Sequence, residues 1–147
     1  VKKTVTSFQL RESLRRRYPN AHVEMMDASV DAWEPGKLLP VYKQFVWQMR
    51  LIGLTHWLRD KLDCDDWAWL FRAYVIVRNA LGRGQNARAI GLICYLQEGD
   101  PSQPHSVNAA IIADGQGFRI TEIEPQPKGG PYTLTRKEMD SVWFALF

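Results

Sequence analysis

Cysteine, histidine and glutamate follow one another in this sequence in an order that suits thiol chemistry. Asp63-Cys64-Asp65-Asp66-Trp67-Ala68 places a cysteine at the mouth of a long apolar run. Pro104-His105-Ser106-Val107-Asn108 opens a strand-like stretch, and Ile123-Glu124-Pro125-Gln126 closes the one after it. A thiol nucleophile needs a base beside it and a third group that orients the base. Cys64, His105 and Glu124 are the candidates for those roles.

The microenvironment of Cys64 pulls two ways. A helix N-terminus supplies partial positive charge and free N–H groups, which favour a thiolate. Asp63, Asp65 and Asp66 put negative charge beside the sulfur and oppose it. The conflict is relieved if the aspartates cap the helix, pair with arginine or hold a cation. The thiol chemistry itself requires no cofactor. Cys94 lies in an apolar run and reads as a small buried hydrophobe. His22 and His56 have no partner pattern around them.

Hairpin register selects the acid. With Gly115-Gln116 as the two central turn residues, Ala113 pairs with Phe118, Val107 faces Glu124 and His105 faces Gln126. Diagonal neighbours on one face lie roughly 7–8 Å apart at the backbone, so Glu124 comes within reach of His105. Gln126 is the second candidate, and Glu122, two positions further along, the third.

The elements that must position these groups can be read in order. Thr6-x-x-Gln9 has capping-box spacing for a helix from Phe8 to Arg17, stopped by Pro19-Asn20. Pro40 suits the first turn of a second helix carrying Val41, Phe45, Val46, Met49 and Ile52, with Gly53 as a break before Leu54–Leu62. Asp63 or Asp65 caps a central helix, Trp67 to Leu81, ended by Gly82. Strands are expected over Ala89–Gln97, His105–Ala113 and Phe118–Glu124, the last two joined at Asp114-Gly115-Gln116-Gly117. Thr135-x-x-Glu138 opens a C-terminal helix with Met139, Val142, Trp143 and Leu146. Helices first and antiparallel strands after imply an α+β fold in a single domain spanning 1–147.

The 147 residues are enough to bury a core without disulfides, and 46% hydrophobic with 24% charged residues suits a globular chain. No run of eighteen apolar residues occurs, so no membrane partner is expected. Two cysteines form neither a disulfide framework nor a zinc site, and free thiols point to cytoplasm, that of a host included. The net charge is +3, and Arg15-Arg16-Arg17 is its one dense cluster. It is too narrow a stripe for nucleic acid to be the expected partner.

Residues 63–68 and 104–126 resemble the signatures of papain-like and bacterial transglutaminase-like cysteine peptidases. The likeness extends to the papain-like C-terminal domain of Marasmius agglutinin and related phage and bacterial proteins. The resemblance implies a papain-like fold, a central helix carrying the cysteine packed on an antiparallel sheet. It also implies a Cys64–His105–Glu124 triad, calcium or another divalent ion as a candidate held by Asp65 and Asp66 and, since residues 57–63 hold no glutamine, Trp57 or the backbone as support for an oxyanion. The expectation is therefore a cysteine hydrolase of amide bonds acting on protein or peptide substrates, with amidase or transglutaminase action as variants. The rival expectation is a non-catalytic structural or binding module that keeps the fold.

Overall fold

The structure is a computed structural model and describes residues 3–56, 58, 62–82 and 87–147. The chain runs β1 (Thr4–Thr6), α1 (Ser7–Arg17), β2 (His22–Glu24), β3 (Ser29–Asp31), α2 (Leu38–Leu51) and α3 (Cys64–Leu81). It continues through β4 (Ala87–Arg88), β5 (Ile90–Leu96), β6 (Pro104–Asp114), β7 (Gly117–Glu124), β8 (Gly130–Tyr132), α4 (Arg136–Ser141) and β9 (Phe144–Leu146).

Six strands form one sheet in the order β2-β9-β5-β6-β7-β8, and β1-β3-β4 form a second, smaller sheet. The backbone joins them: Trp33 donates to the Ile111 carbonyl at 2.7 Å, and Ile111 donates to the Ala89 carbonyl at 3.1 Å. The β6–β7 hairpin turns at Gly115, whose φ is +52°, with Ala113 paired to Phe118 and Asn108 to Ile123. A positive φ at a two-residue turn is the conformation glycine adopts without penalty.

Both faces of the large sheet are covered, which is why β6 reads as a nearly unbroken apolar run. On one face α1 buries Leu10, Leu14 and Tyr18 with Ile93, Val107, Ala109, Ile111 and Ala145. On the other, Phe45 of α2 and Trp67, Phe71 and Val75 of α3 pack with Ile90, Ala110, Ile112 and Ile123. Trp67, Phe71 and Val75 recur every fourth residue, so a single stripe of α3 faces this core. Phe45 meets Trp67 edge-on at 6.0 Å.

Three helix starts are capped by boxes: Thr6 with Gln9, Asp63 with Asp66, and Thr135 with Glu138. Loss of such a cap costs about 1 kcal/mol. The second helix begins at Leu38, two residues before the proline, and Leu54–His56 do not continue it, while 57 and 59–61 lie outside the described residues.

Two sequence expectations are corrected here. The sheet is mixed rather than antiparallel, because β9 runs parallel to β2. The C-terminal helix ends at Ser141, and Phe144–Leu146 instead form β9, inserted between β2 and β5. The helical pattern failed because Ala145 is a core residue at 0% exposure with both sheet neighbours hydrogen-bonded to its strand. Tertiary pairing overrode a local periodicity.

Gly91 permits this insertion. A Cβ there would stand 2.4 Å from the Leu146 carbonyl and 2.5 Å from the Phe147 ring. Replacement of Gly91 by alanine is expected to cost about 1–3 kcal/mol by overpacking, read as a lower urea midpoint. An unchanged midpoint would refute the close approach. Among the described residues no helix is long and apolar enough to cross a membrane.

Candidate functional site

Three elements deliver the candidate residues. Asp63 caps α3, its carboxylate accepting from the Asp66 N–H while Asp66 accepts from the Asp63 N–H at 3.2 Å, so Cys64 becomes the first residue of the helix. The helix is fastened to the sheet by Asn108, fully buried on β6. Its side-chain amide donates to the Ala68 and Gly91 carbonyls, both at 3.0 Å. A side-chain donor shared between helix and strand fixes how far α3 slides along β6, and hence where Cys64 stands relative to His105.

His105 and Glu124 meet across the hairpin. His105 Nε2 and Glu124 Oε2 lie 2.6 Å apart, with the side chains 11% and 25% exposed. The register places Glu124 diagonal to His105, as expected from the turn. The second Glu124 oxygen accepts from the Gln126 N–H at 3.1 Å, and the Gln126 carbonyl accepts from the Tyr42 hydroxyl at 2.8 Å. Gln126 thus braces Glu124 through its backbone. Gly129 lies directly against the carboxylate's stem: a Cβ there would come within 2.5 Å of Glu124 Cγ.

The imidazole is enclosed. Tyr95, paired with His105 across β5–β6, presents its ring edge-on at 5.6 Å, and its hydroxyl lies 3.0 Å from that of Tyr132. Burial pushes the Tyr95 phenol up to about 12, against the opposing hydrogen bond with Tyr132. Burial lowers the basicity of His105, but side-chain hydrogen bonding with Cys64 and Glu124, reinforced by their charge, overrides it and pushes the imidazole up to about 9. The ring is therefore a cation at neutral pH, flanked by Cys64 of α3, Glu124 of β7, Tyr95 of β5 and the Glu138 charge of α4.

This raised value has a consequence for stability. A group whose folded-state pKa exceeds its unfolded one stabilises fully below the unfolded value, near 6.5, and loses that contribution as pH rises through the folded value. His105 is expected to contribute up to about 3 kcal/mol below pH 6.5. The contribution should fade between there and about pH 9. Urea midpoints across pH 6–10, with His105→Gln as the reference, check this; parallel curves for the two proteins would contradict it.

The acidic flank of Cys64 is resolved among its own members. The Asp63 carboxyl is held below its ordinary range, first by a hydrogen bond from Asp65, and Asp65 is pushed up by that same bond. Asp66 is occupied by the capping box. Among the described residues, Asp65 is the one of the two candidate ion ligands that converges with further ligand atoms, and these belong to Asp63 and Cys64 rather than to Asp66.

The remaining candidates separate from the site. Glu122 is fully buried beneath α1, held by Arg17 at 2.7 and 2.9 Å and by the Tyr18 hydroxyl at 2.5 Å. Arg17 therefore turns inward from the Arg15–Arg17 cluster. Trp57 lies outside the described residues. Cys94 contacts Ser106 at 3.3 Å, and burial raises its thiol pKa despite that bond. Tyr95, Tyr132 and Gly129 were not found from the sequence. Pairing of Tyr95 with His105 would have revealed the first, but the loop between β5 and β6 leaves that register open.

No protein-family model matches the chain, and no curated protein matches it. Solved structures do. One is PSL1a in complex with E64, with a TM-score of 0.77 at 19% identity over 98% of this chain and 51% of that one. Another is Polyporus squamosus lectin bound to Neu5Acα2-6Galβ1-4GlcNAc, with a TM-score of 0.68 at 22% identity over 98% of this chain and 49% of that one. The chain thus spans about half the length of each and shares the fold of that half.

These matches correct the expectations drawn from the cysteine-peptidase resemblance. Neither structure is named as a papain-like peptidase or as a phage or bacterial protein, and one is a lectin holding a glycan. The fold is reassigned from a papain-like one to that of half a PSL1a or lectin chain. The reading as a cysteine hydrolase with a protein or peptide substrate falls with it.

Proposed function

We propose that this chain is a ligand-binding module on a fold shared with half a lectin chain, with Cys64, His105 and Glu124 as its reactive centre. The observation that carries this is the 2.6 Å contact of His105 with Glu124 on a ring that also interacts with Cys64. A thiol beside an imidazolium suits covalent capture of an activated carbon. With an epoxide, the Cys64 sulfur attacks as the thiolate, forming an S–C bond as a ring C–O bond breaks, and the His105 proton passes to the departing oxygen. The ligand is retained rather than turned over. For the non-covalent partner, the lectin likeness favours a glycan.

E64, an epoxide, is the probe. Intact-mass measurement is expected to show one equivalent added, with peptide mapping placing it on Cys64 and not Cys94, and Cys64→Ser is expected to remain unmodified. Equal labelling of both cysteines, or none, would sink the reading of the site. Calorimetry with Neu5Acα2-6Galβ1-4GlcNAc tests the glycan assignment separately, and the absence of heat at millimolar sugar would remove it.

A further inference from the structure

Among the described residues Arg72 is a buried charge without a counter-ion. It lies on α3, two turns beyond Cys64, and is 9% exposed. Its Nε has no hydrogen-bond partner, and one terminal nitrogen reaches only the Met26 sulfur at 3.6 Å. The guanidinium packs over Trp69 at 5.8 Å. Among the described residues no carboxylate comes within ion-pairing distance. Asp27 acts on it only through space, and burial lowers its pKa against that attraction. An arginine nine-tenths buried and unpaired is costly, since buried charges are ordinarily paired and hydrogen-bonded.

This side chain lines a cavity of about 280 Å³. Val30, Ile76, Ile90 and Phe147 give the cavity apolar walls, and Arg88 and Asp27 complete its polar lining. Two arginines against one acid leave a net positive charge. Arg88 is already engaged, donating to the Ala32 carbonyl at 3.2 Å and stacking on Trp33 at 5.6 Å. Arg72 is the one with donors to spare. Ligand pockets combine apolar walls with a few convergent polar groups and span roughly 300–1,000 Å³, so this cavity suits a small ligand.

We infer that the Arg72 cavity is a binding site for a small amphipathic carboxylate, an unbranched or aryl-substituted monocarboxylic acid. Its carboxylate pairs bidentately with the guanidinium, and its hydrocarbon part lies against Ile76, Ile90 and Phe147. The fork of five donors in arginine matches a carboxylate in a way that a lysine ammonium does not. This inference is independent of the chemistry at Cys64.

Octanoate is the probe, with octanol as its uncharged counterpart, titrated by calorimetry and by methyl NMR. Octanoate is expected to bind with shifts centred on the Ile76 and Ile90 methyls, and octanol at least tenfold more weakly. Arg72→Met is expected to fold, because replacing an unpaired buried cation with an apolar side chain relieves desolvation. It should lose octanoate affinity at least tenfold while octanol binding is unchanged. Arg72→Lys, which keeps the charge without the fork, should fall between the two. No binding at millimolar octanoate, equal binding to Arg72→Met, or shifts centred away from Ile76 and Ile90 would each overturn the site.

Discussion

Glu122→Ala is expected to destabilise the protein by about 3–5 kcal/mol, the cost of leaving one member of a buried ion pair unpaired. Three groups converge on this carboxylate: both nitrogens of the Arg17 fork and the Tyr18 hydroxyl. Tyr18 is fully buried, and its phenol is raised first by burial and then by the Glu122 charge. Arg17 is held in its charged form because Glu122 outweighs its partial burial. Removing the acid leaves a buried hydroxyl and a half-covered guanidinium with nothing to meet, and α1 loses its polar attachment to β7. Glu122→Gln keeps acceptors for both partners and should cost less, about 1–3 kcal/mol. A double change, Arg17→Met with Glu122→Leu, should recover most of the loss, since an apolar pair of similar volume replaces a buried ion pair at little cost. Urea midpoints decide among these outcomes. An alanine variant within 0.5 kcal/mol of the parent, on the order of a neutral surface substitution, would show the trio to be idle.

The second large effect concerns reactivity. His105→Ala should slow E64 capture at neutral pH by about 10²-fold or more, the usual range for a positioned acid–base group. Loss of a thiol's cationic neighbour and loss of the proton donor act in the same direction. Glu124→Gln should be milder in rate but diagnostic in pH. Wild-type capture is expected to decline as His105 loses its proton near pH 9, where a simple thiol would only gain reactivity. Without the Glu124 charge, that decline should move toward lower pH. The shift of the alkaline limb separates an orienting and charge-balancing role from a merely structural one. An alanine variant that captures E64 at the parental rate would show that His105 takes no part.

The hairpin was legible in the sequence, and the surrounding sheet less so. Gly115-Gln116 announced a two-residue turn, and from that one local feature the pairing of Ala113 with Phe118 and the diagonal of His105 and Glu124 both follow. Capping boxes at Thr6 and Thr135 were equally legible, because they depend on residues three apart, whereas the cap of α3 was open between Asp63 and Asp65. Phe144–Leu146 was not legible: its apolar spacing fits a helix, and only contact with β2 and β5 makes it a strand. The same limit hid Glu122, whose partners Arg17 and Tyr18 lie more than a hundred positions earlier. Function failed at a different level. Cysteine, histidine and acid in order describe a chemical potential, and the peptidase resemblance supplied the rest, whereas the shared fold is that of half a lectin chain.

The position of β9 also sets an order of assembly. This strand is the last of the described elements yet lies second in the six-stranded sheet, bridging β2 to β5. Until it arrives, β5 has one unpaired edge and β2 has no partner in that sheet. Residues far apart in sequence must therefore meet before either edge is closed, which slows folding and leaves strand edges open to intermolecular pairing in the interval. A chain emerging gradually from synthesis would hold its β6–β7 hairpin ready while its sheet still waited for β9.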